Sequence, residues 1–191
     1  MPPEASFSRP LVIDEFVEVA TVEFQRLFRG QVWSFGWKSN AKTDRYPYWH
    51  RHFIELEGRS ETKKNKYPLG RFPVVDELWN RVQTAAGGQQ ARLLRAYANG
   101  LTYGLEGKIH TDSTHENDIT AIIYTNEFWA DAWAGETVFF LPGRETLAVT
   151  PVPGRLVLFN GTIPHVARSP SRDCPVLRTT LMYKLRLESH E

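Results

Sequence analysis

Apolar residues recur at helical spacing in two segments of the N-terminal half of the chain. Residues 14–29 are the first segment, where Asp14 can cap the start of a helix and Gly30 can end it. Residues 75–86 are the second, preceded by Pro73. The apolar positions are Phe16, Val19, Ala20, Phe24, Leu27 and Phe28, then Val75, Leu78, Trp79 and Val82. This periodicity predicts two amphipathic helices.

The segment between these helices has a mixed pattern. Trp33, Phe35 and Trp37 alternate with smaller residues, which predicts a strand. The polar and aromatic stretch that follows, with Trp49, His50, His52 and the cluster Lys63, Lys64 and Lys66, shows no such period, so we expect an irregular loop there.

From residue 91 onward, short strand-like runs alternate with turn residues. The candidate strands are 92–103, 118–125, 136–141, 145–149, 155–159, 163–168 and 176–187. Many short strands at even spacing favour an antiparallel sandwich or barrel. The predicted fold is therefore mainly β, a jelly roll with N-terminal helices, in one domain over 1–191. Residues 1–90 would supply helical support and a loop region, and 91–191 the core with the chemical motifs.

Charge and composition narrow the functional classes. The 191 residues carry 23 basic and 22 acidic side chains, a net charge of +1, which gives no reason to expect nucleic acid as a partner. With a single cysteine no internal disulfide can form, so we expect a reducing, cytoplasmic setting. Neither a signal-peptide pattern nor an apolar run of about 18 residues is present, so no membrane association is expected.

A histidine and a carboxylate two residues apart suggest a metal site. His110 and Asp112 follow a strand-like run, and side chains at i and i+2 of a strand point to the same side. His165 lies on a later predicted strand and offers a second imidazole. Two imidazoles and one carboxylate leave open positions on an octahedral ion, as ferrous iron needs for a chelating co-substrate and O2. We therefore predict His110, Asp112 and His165 as metal ligands.

An arginine inside the last predicted strand suggests an anion site. Arg178 lies among apolar and β-branched residues, where a buried guanidinium needs a counter-ion. Its planar fork matches a carboxylate. The partner is either an acidic side chain or a dicarboxylic co-substrate, and the metal motif favours the latter. Tyr124 is a second candidate for that carboxylate, and Tyr97, Asn99 and Tyr103 share one strand parity and could contact co-substrate or substrate.

These motifs, in this order, resemble a known family. Residues 97–185 are similar to the prolyl-4-hydroxylase-like branch of the iron(II)/2-oxoglutarate oxygenases. The matching pieces are His110 with Asp112, Ile123 to Asn126 followed by Trp129, Ala134 to Thr137, Pro153 to Phe159, Pro164 with His165, and Leu177 with Arg178. Ala134 departs from a usual Gly-Gly pair, a small change in a turn.

The resemblance implies a double-stranded β-helix and an Fe(II)/2-oxoglutarate-dependent dioxygenase with O2 as second co-substrate. It implies iron ligation by His110, Asp112 and His165, and capture of the distal 2-oxoglutarate carboxylate by Arg178. Tyr124 resembles the tyrosine that shares this carboxylate, and Tyr97 resembles another co-substrate tyrosine. Because Asp112 is present, hydroxylation or another oxidation is favoured over halogenation.

Three other functional classes stay open at this point. One is a cupin-like metal enzyme that uses no 2-oxoglutarate, one a non-catalytic domain that senses 2-oxoglutarate or metal, and one an oxygenase of nucleic acid. The expected substrate is a small polar or amino-acid-like metabolite, with a prolyl or other peptidyl substrate as the alternative. Residues 37–67 are rich in aromatic and cationic side chains, and Arg45, His50, Arg51 and His52 are predicted to meet an anionic group of the substrate. The oligomeric state is not predicted.

Overall fold

A computed structural model describes residues 7–29, 32–38, 46–55, 70–87 and 91–188 of the chain. The described residues form two α-helices, ten β-strands and two short 3₁₀ helices, Asp131–Trp133 and Pro142–Arg144. The α-helices are α1 (Val22–Gln25) and α2 (Pro73–Ala85). The strands are β1 (Leu11–Ile13), β2 (Ser34–Trp37), β3 (Tyr48–Glu55), β4 (Ala91–Leu101), β5 (Asp118–Tyr124), β6 (Thr137–Leu141), β7 (Glu145–Val149), β8 (Leu156–Asn160), β9 (His165–Ala167) and β10 (Arg178–Leu187).

The strands form two antiparallel sheets that face each other. The larger sheet has the order β1-β8-β5-β10-β4-β3-β2, and the smaller has the order β7-β6-β9. Because the order of each sheet departs from the order along the chain, neighbouring strands come from distant segments, as in a jelly roll. The predicted mainly β double-stranded β-helix fold with N-terminal helices is confirmed.

Each face of the larger sheet has its own hydrophobic core. The inner face packs against the smaller sheet, where the ring of Phe139 on β6 lies 4.8 Å from the ring of Phe159 on β8. The outer face packs against α2 and the N-terminal segment. Val75, Leu78, Trp79 and Val82 of α2 are buried there, as the predicted helical face requires. The inner face, between the sheets, is where polar residues can meet in a shielded space.

The helix predicted over residues 14–29 is wrong in extent. Only Val22–Gln25 is α-helical, and β1 ends just before Asp14. The Asp14 carboxylate does not cap a helix, because it accepts hydrogen bonds of 2.5 and 3.1 Å from the Arg155 guanidinium. The backbone N–H of Val17 donates to the Gly154 carbonyl at 3.3 Å. Tertiary bonds to the start of β8 thus override the helical period, although the apolar residues are still buried.

The irregular loop expected around Trp49 and His52 is also wrong. These residues belong to β3, which pairs with β2 on one side and β4 on the other. Residues 56–69 lie outside the described residues, and with them the lysine cluster. No helix in the described part of the chain is long and apolar enough to span a bilayer.

The hydroxyl of Tyr183 links the larger sheet to α2 and provides a test of this packing. It donates a 2.7 Å hydrogen bond to the Val75 carbonyl, and the side chain is 0% exposed. We expect Tyr183→Phe to lower the free energy of unfolding in urea by about 1 kcal/mol, the net value of one such bond. Tyr103→Phe is the control, because Tyr103 is 63% exposed. Equal stabilities of the two variants would contradict this contact.

Candidate metal and co-substrate site

Backbone hydrogen bonds bring the three predicted metal ligands together. The N–H of His110 donates to the carbonyl of His165 at 3.0 Å, and the N–H of His165 donates back to His110 at 2.9 Å. The N–H of Asp112 donates to the Gly161 carbonyl at 2.8 Å. Three loops and strand ends therefore converge at the mouth between the sheets. One ligand atom from each of His110, Asp112 and His165 lies within 4.8 Å of the others.

Both imidazoles are oriented as metal ligands require. The Nδ1 atom of His110 lies 2.9 Å from the Lys108 carbonyl oxygen, and Nδ1 of His165 lies 2.9 Å from that of Ile163. A carbonyl can only accept, so Nδ1 carries the proton and the Nε2 lone pair faces Asp112. The Nε2 atoms lie 3.6 and 3.4 Å from the two oxygens of Asp112. The set of two imidazoles and one carboxylate fits ferrous iron.

The electrostatics keep Asp112 ionised and His165 neutral at neutral pH. Burial lowers the pKa of His165 to about 4, so its ring is neutral. Burial alone would raise the pKa of Asp112, but Lys184 and the two histidines hold it well below its usual value. Burial also opposes protonation of His110, yet the neighbouring Asp112 outweighs burial and raises the pKa of this imidazole. Asp112 is thus a carboxylate anion that attracts a cation.

Arg178 is the first residue of β10, and its side chain is buried. It is 2% exposed, its Nε donates to the Gly135 carbonyl at 2.5 Å, and an Nη donates to the Thr137 hydroxyl at 3.0 Å. Gly135 has φ +84°, and a Cβ there would lie 3.1 Å from Arg178 Cδ, so glycine is needed for this close approach. Its neighbour Ala134 also has a positive φ, 53°, which explains why glycine suits both positions of this turn.

A cavity of about 60 Å³ connects the metal ligands to Arg178. Its lining residues are Tyr48, Tyr97, Asn99, Leu101, Gly107, His110, Asp112, Ile122, Thr137, His165, Ala167, Arg178, Thr180 and Met182. Tyr124 stands behind Arg178, whose guanidinium carbon is 5.3 Å from the centre of the tyrosine ring. The Tyr124 hydroxyl lies 2.8 Å from the Thr137 hydroxyl and 3.2 Å from the Val149 carbonyl oxygen. Tyr97, in contrast, lines the cavity directly.

An aromatic wall continues from this cavity toward the free edge of the larger sheet. We define it as Trp37, His50, His52, Tyr97 and Asn99. The Trp37 ring lies 5.2 Å from His50 and 4.8 Å from His52, and His52 lies 6.2 Å from Tyr97. Burial lowers the pKa of His50, and lowers that of His52 to about 4, so both rings are neutral at pH 7.

Three polar atoms of this wall are buried with no hydrogen-bond partner among the described residues. They are Nδ1 of His50, Nδ1 of His52 and Oδ1 of Asn99. Each such atom costs about 1–3 kcal/mol if it stays unsatisfied. Asn99 belongs to the cavity lining, and His50 and His52 extend this set of neutral, unpaired hydrogen-bonding groups away from it.

Of the other predicted substrate residues, the structure describes Arg51 and Tyr103, and neither belongs to this wall. Arg45 lies outside the described residues. Arg51 points to the opposite face of β3, where its guanidinium donates to the Leu27 carbonyl at 2.5 Å and lies 4.9 Å from the Phe53 ring centre. Tyr103 follows the end of β4 and is 63% exposed, away from the cavity lining. With neutral His50 and His52, and with Arg51 on the opposite face, the described residues do not supply the cation that we predicted to meet an anionic group of the substrate.

Lys184 and Thr120 are site residues that the sequence analysis missed. Lys184 is 4% exposed, and its ammonium group contacts Asp112 Oδ2. The Thr120 hydroxyl donates to the same oxygen at 2.7 Å. The sequence contained an indication of the role of Lys184. This lysine lies on the same side of the predicted strand as Arg178, among apolar and β-branched residues. The same reasoning that singled out Arg178 applies to it.

No protein-family model and no curated protein sequence matches the chain. Solved structures do match. The viral collagen prolyl hydroxylase from Paramecium Bursaria Chlorella virus-1, in its 2OG complex, gives a TM-score of 0.63 at 13% identity, over 94% of this chain and 96% of that chain. A prolyl hydroxylase from Trichoplax adhaerens, bound to a hypoxia inducible factor peptide fragment, gives 0.61 at 17% identity, over 93% and 83%.

An oxidoreductase of the 2OG-Fe(II) oxygenase family from Burkholderia pseudomallei gives a TM-score of 0.59 at 16% identity, over 81% of this chain and 72% of that chain. The chain has the fold of these oxygenases. The resemblance to the prolyl-4-hydroxylase-like branch is thereby confirmed for the fold, and the roles of individual site residues stay predictions.

Replacement of one histidine tests the metal ligands. We expect His110→Ala to weaken Mn²⁺ binding at pH 7 by at least about a hundredfold, because loss of a ligand's outer partner alone costs about 10–100-fold. His110 is preferable to Asp112 for this test, since removal of Asp112 would also leave Lys184 unpaired. Calorimetric titration gives the affinity, and His115→Ala, an exposed histidine on the same loop, is the control. Equal affinity in both variants would remove His110 from the ligand set.

Proposed function

We propose that this protein is an iron(II)- and 2-oxoglutarate-dependent dioxygenase that hydroxylates its substrate. One observation carries the proposal: Arg178 is buried on the same cavity as the three candidate metal ligands and has no ion-pair partner within the described ranges. A buried guanidinium without a carboxylate is costly, so the charge needs an anion from outside the chain. Glu136 is an acidic side chain that acts electrostatically on Arg178, but it forms no ion pair with the guanidinium in the described part of the chain.

A dicarboxylic 2-oxo acid satisfies both ends of the cavity. Its 1-carboxylate and 2-oxo group can chelate a metal held by His110, Asp112 and His165. Its 5-carboxylate can accept from Arg178, while the Thr137 hydroxyl, which already contacts Arg178, lies on the same lining. The Tyr124 ring supports the guanidinium from behind and keeps it in place.

When bound, iron(II) supplies the activation of O2, which is coupled to oxidative decarboxylation of 2-oxoglutarate to succinate and CO2 and to hydroxylation of the substrate. The chain's own residues orient the reactants and exclude water. Ile122 and Met182 line the cavity between the two ends and are 4% and 6% exposed. This apolar lining strengthens the electrostatic contacts of Asp112 and Arg178.

The substrate proposed is a small polar or amino-acid-like metabolite. The support is the aromatic wall, of which Tyr97 and Asn99 line the cavity of the metal ligands, together with the unpaired atoms of His50, His52 and Asn99. Since both imidazoles are neutral, the group that they meet is a neutral hydrogen-bonding group, such as an amide or a hydroxyl, instead of the anionic group expected from the sequence. The Trp37 and Tyr97 rings can pack against apolar parts of the same molecule.

A peptidyl residue, proline included, is the second candidate substrate. A peptide presents amides and a ring or side chain to the same wall. The fold similarity to prolyl hydroxylases, one of them bound to a peptide fragment, favours this candidate. A screen of amino acids, small metabolites and proline-containing peptides for substrate-stimulated succinate formation distinguishes the two candidates.

Loss of Arg178 tests the proposed function. We expect wild-type protein with Fe(II), 2-oxoglutarate and O2 to form succinate, and Arg178→Ala to need about tenfold or more 2-oxoglutarate, since a charge-assisted pair contributes about 1.5–3 kcal/mol. Arg178→Lys should restore part of the affinity for 2-oxoglutarate. Arg172→Ala, at an exposed position, is the control and should need no more 2-oxoglutarate than the wild type. Metal-dependent binding of 2-oxoglutarate without any succinate would identify a sensor domain instead.

Changes in the aromatic wall test the substrate assignment. We expect His52→Ala and Asn99→Ala to raise the ratio of succinate to hydroxylated product. A weakly bound substrate is hydroxylated less often for each 2-oxoglutarate that is decarboxylated. Phe35→Ala is the control, since Phe35 is 53% exposed and packs against Trp49 instead of the wall. Both products are quantified in the same reactions. If His52→Ala and Asn99→Ala give the same ratio of succinate to product as the wild type and Phe35→Ala, the wall does not bind the substrate.

A further inference from the structure

Lys184 forms a closed group with a metal-ligand candidate and a threonine. On β10 it pairs with Thr120 of β5, and both side chains point between the sheets. The ammonium group contacts Asp112 Oδ2 and lies 2.9 Å from the Thr120 hydroxyl oxygen. The Thr120 hydroxyl donates to the same Oδ2 at 2.7 Å. Two donors from adjacent strands thus converge on one carboxylate oxygen.

Burial makes this contact obligatory for Lys184. The residue is 4% exposed, and its neighbours Tyr183 and Leu185 belong to the outer hydrophobic core. A buried ammonium ion without a partner is strongly disfavoured. Asp112 is the carboxylate that pairs with it in the part of the chain that the structure describes. The strand therefore cannot release Asp112 without leaving a buried charge uncompensated.

The two oxygens of Asp112 are consequently not equivalent. Oδ2 accepts from Lys184 and Thr120, which occupy its lone pairs. Each oxygen faces one imidazole: Nε2 of His110 lies 3.6 Å from Oδ1, and Nε2 of His165 lies 3.4 Å from Oδ2. Oδ1 has no contact with Lys184 or Thr120, so it is the oxygen left for a metal ion. A carboxylate that binds through one oxygen completes, with two imidazoles, three of about six octahedral positions. A chelating carboxylate would take a fourth position.

We infer that Lys184 and Thr120 are positioning residues that keep Asp112 monodentate and so preserve the open positions of the metal. The inference rests on the proposed function, because 2-oxoglutarate needs two adjacent positions and O2 needs a third. A carboxylate that took both oxygens to the metal would leave room for the co-substrate but none for O2. Lys184 and Thr120 prevent this by occupying Oδ2 with a hydrogen bond and an ion pair.

The number of water ligands on bound Mn²⁺ tests this role without any turnover. Line broadening of the Mn²⁺ electron paramagnetic resonance spectrum in ¹⁷O-water counts these ligands. We expect about three waters in the wild type and about two in Lys184→Met, which has a similar length but no donor, for an octahedral ion. Lys184→Gln supplies an amide N–H donor without the charge and should restore the wild-type count. Lys108→Met, at an exposed position, is the control.

A second pair of variants keeps the test independent of the folding of Lys184→Met. Thr120→Val removes only the hydroxyl and should increase the two-water population, whereas Thr120→Ser should not. Equal water counts in wild type, Lys184→Met and Thr120→Val would overturn the positioning role and leave the proposed function standing. A wild-type protein that binds no Mn²⁺ would overturn both. After addition of 2-oxoglutarate, about one water should remain in the wild type and about none in Lys184→Met.

Discussion

The pairing of β10 between β4 and β5 is the constraint on which the site depends. The register places Thr180 opposite Asn99 and Tyr124, so one set of side chains faces between the sheets and the alternate set faces the outer core. The inner set is Arg178, Thr180, Met182 and Lys184, and the outer set includes Leu181, Tyr183 and Leu185. Because the side-chain period is two, a slip of one residue would exchange the sets and destroy core and site together.

Desolvation then decides which groups of this inner face need a ligand. Lys184 is satisfied by Asp112, and that contact keeps the carboxylate charged for a metal ion. Arg178 contacts uncharged groups, namely Gly135, Thr137 and the Tyr124 ring, and forms no ion pair among the described residues. The unpaired atoms of the aromatic wall are neutral. Asp112 is therefore suited to bind a cation, Arg178 a carboxylate, and the aromatic wall a neutral polar group.

Much of this arrangement could be predicted from the sequence where the pattern is local. The predicted strand β10 and the predicted apolar face of α2 agree with the structure to within a few residues. The structure also brings together the motifs that the sequence singled out, with His110, Asp112, His165 and Arg178. The failures have tertiary causes. Bonds from Arg155 and Gly154 override the helical period of residues 14–29, and an irregularity in the pairing of β3 between His52 and Ile54 was invisible in the sequence. Arg51 faces away from His50 and His52 because side chains alternate along β3, which could not be anticipated while this segment was expected to be a loop.

The central claim is that one cavity holds a metal ion and a 2-oxo dicarboxylic acid together. A crystal structure of the protein with Mn²⁺ and 2-oxoglutarate, prepared without O2, measures this directly through the anomalous signal of manganese. The account predicts a manganese peak within bonding distance of His110, Asp112 and His165, with the co-substrate chelating it and its far carboxylate on Arg178. A manganese ion bound elsewhere, or a 2-oxoglutarate whose far carboxylate avoids Arg178, would contradict it.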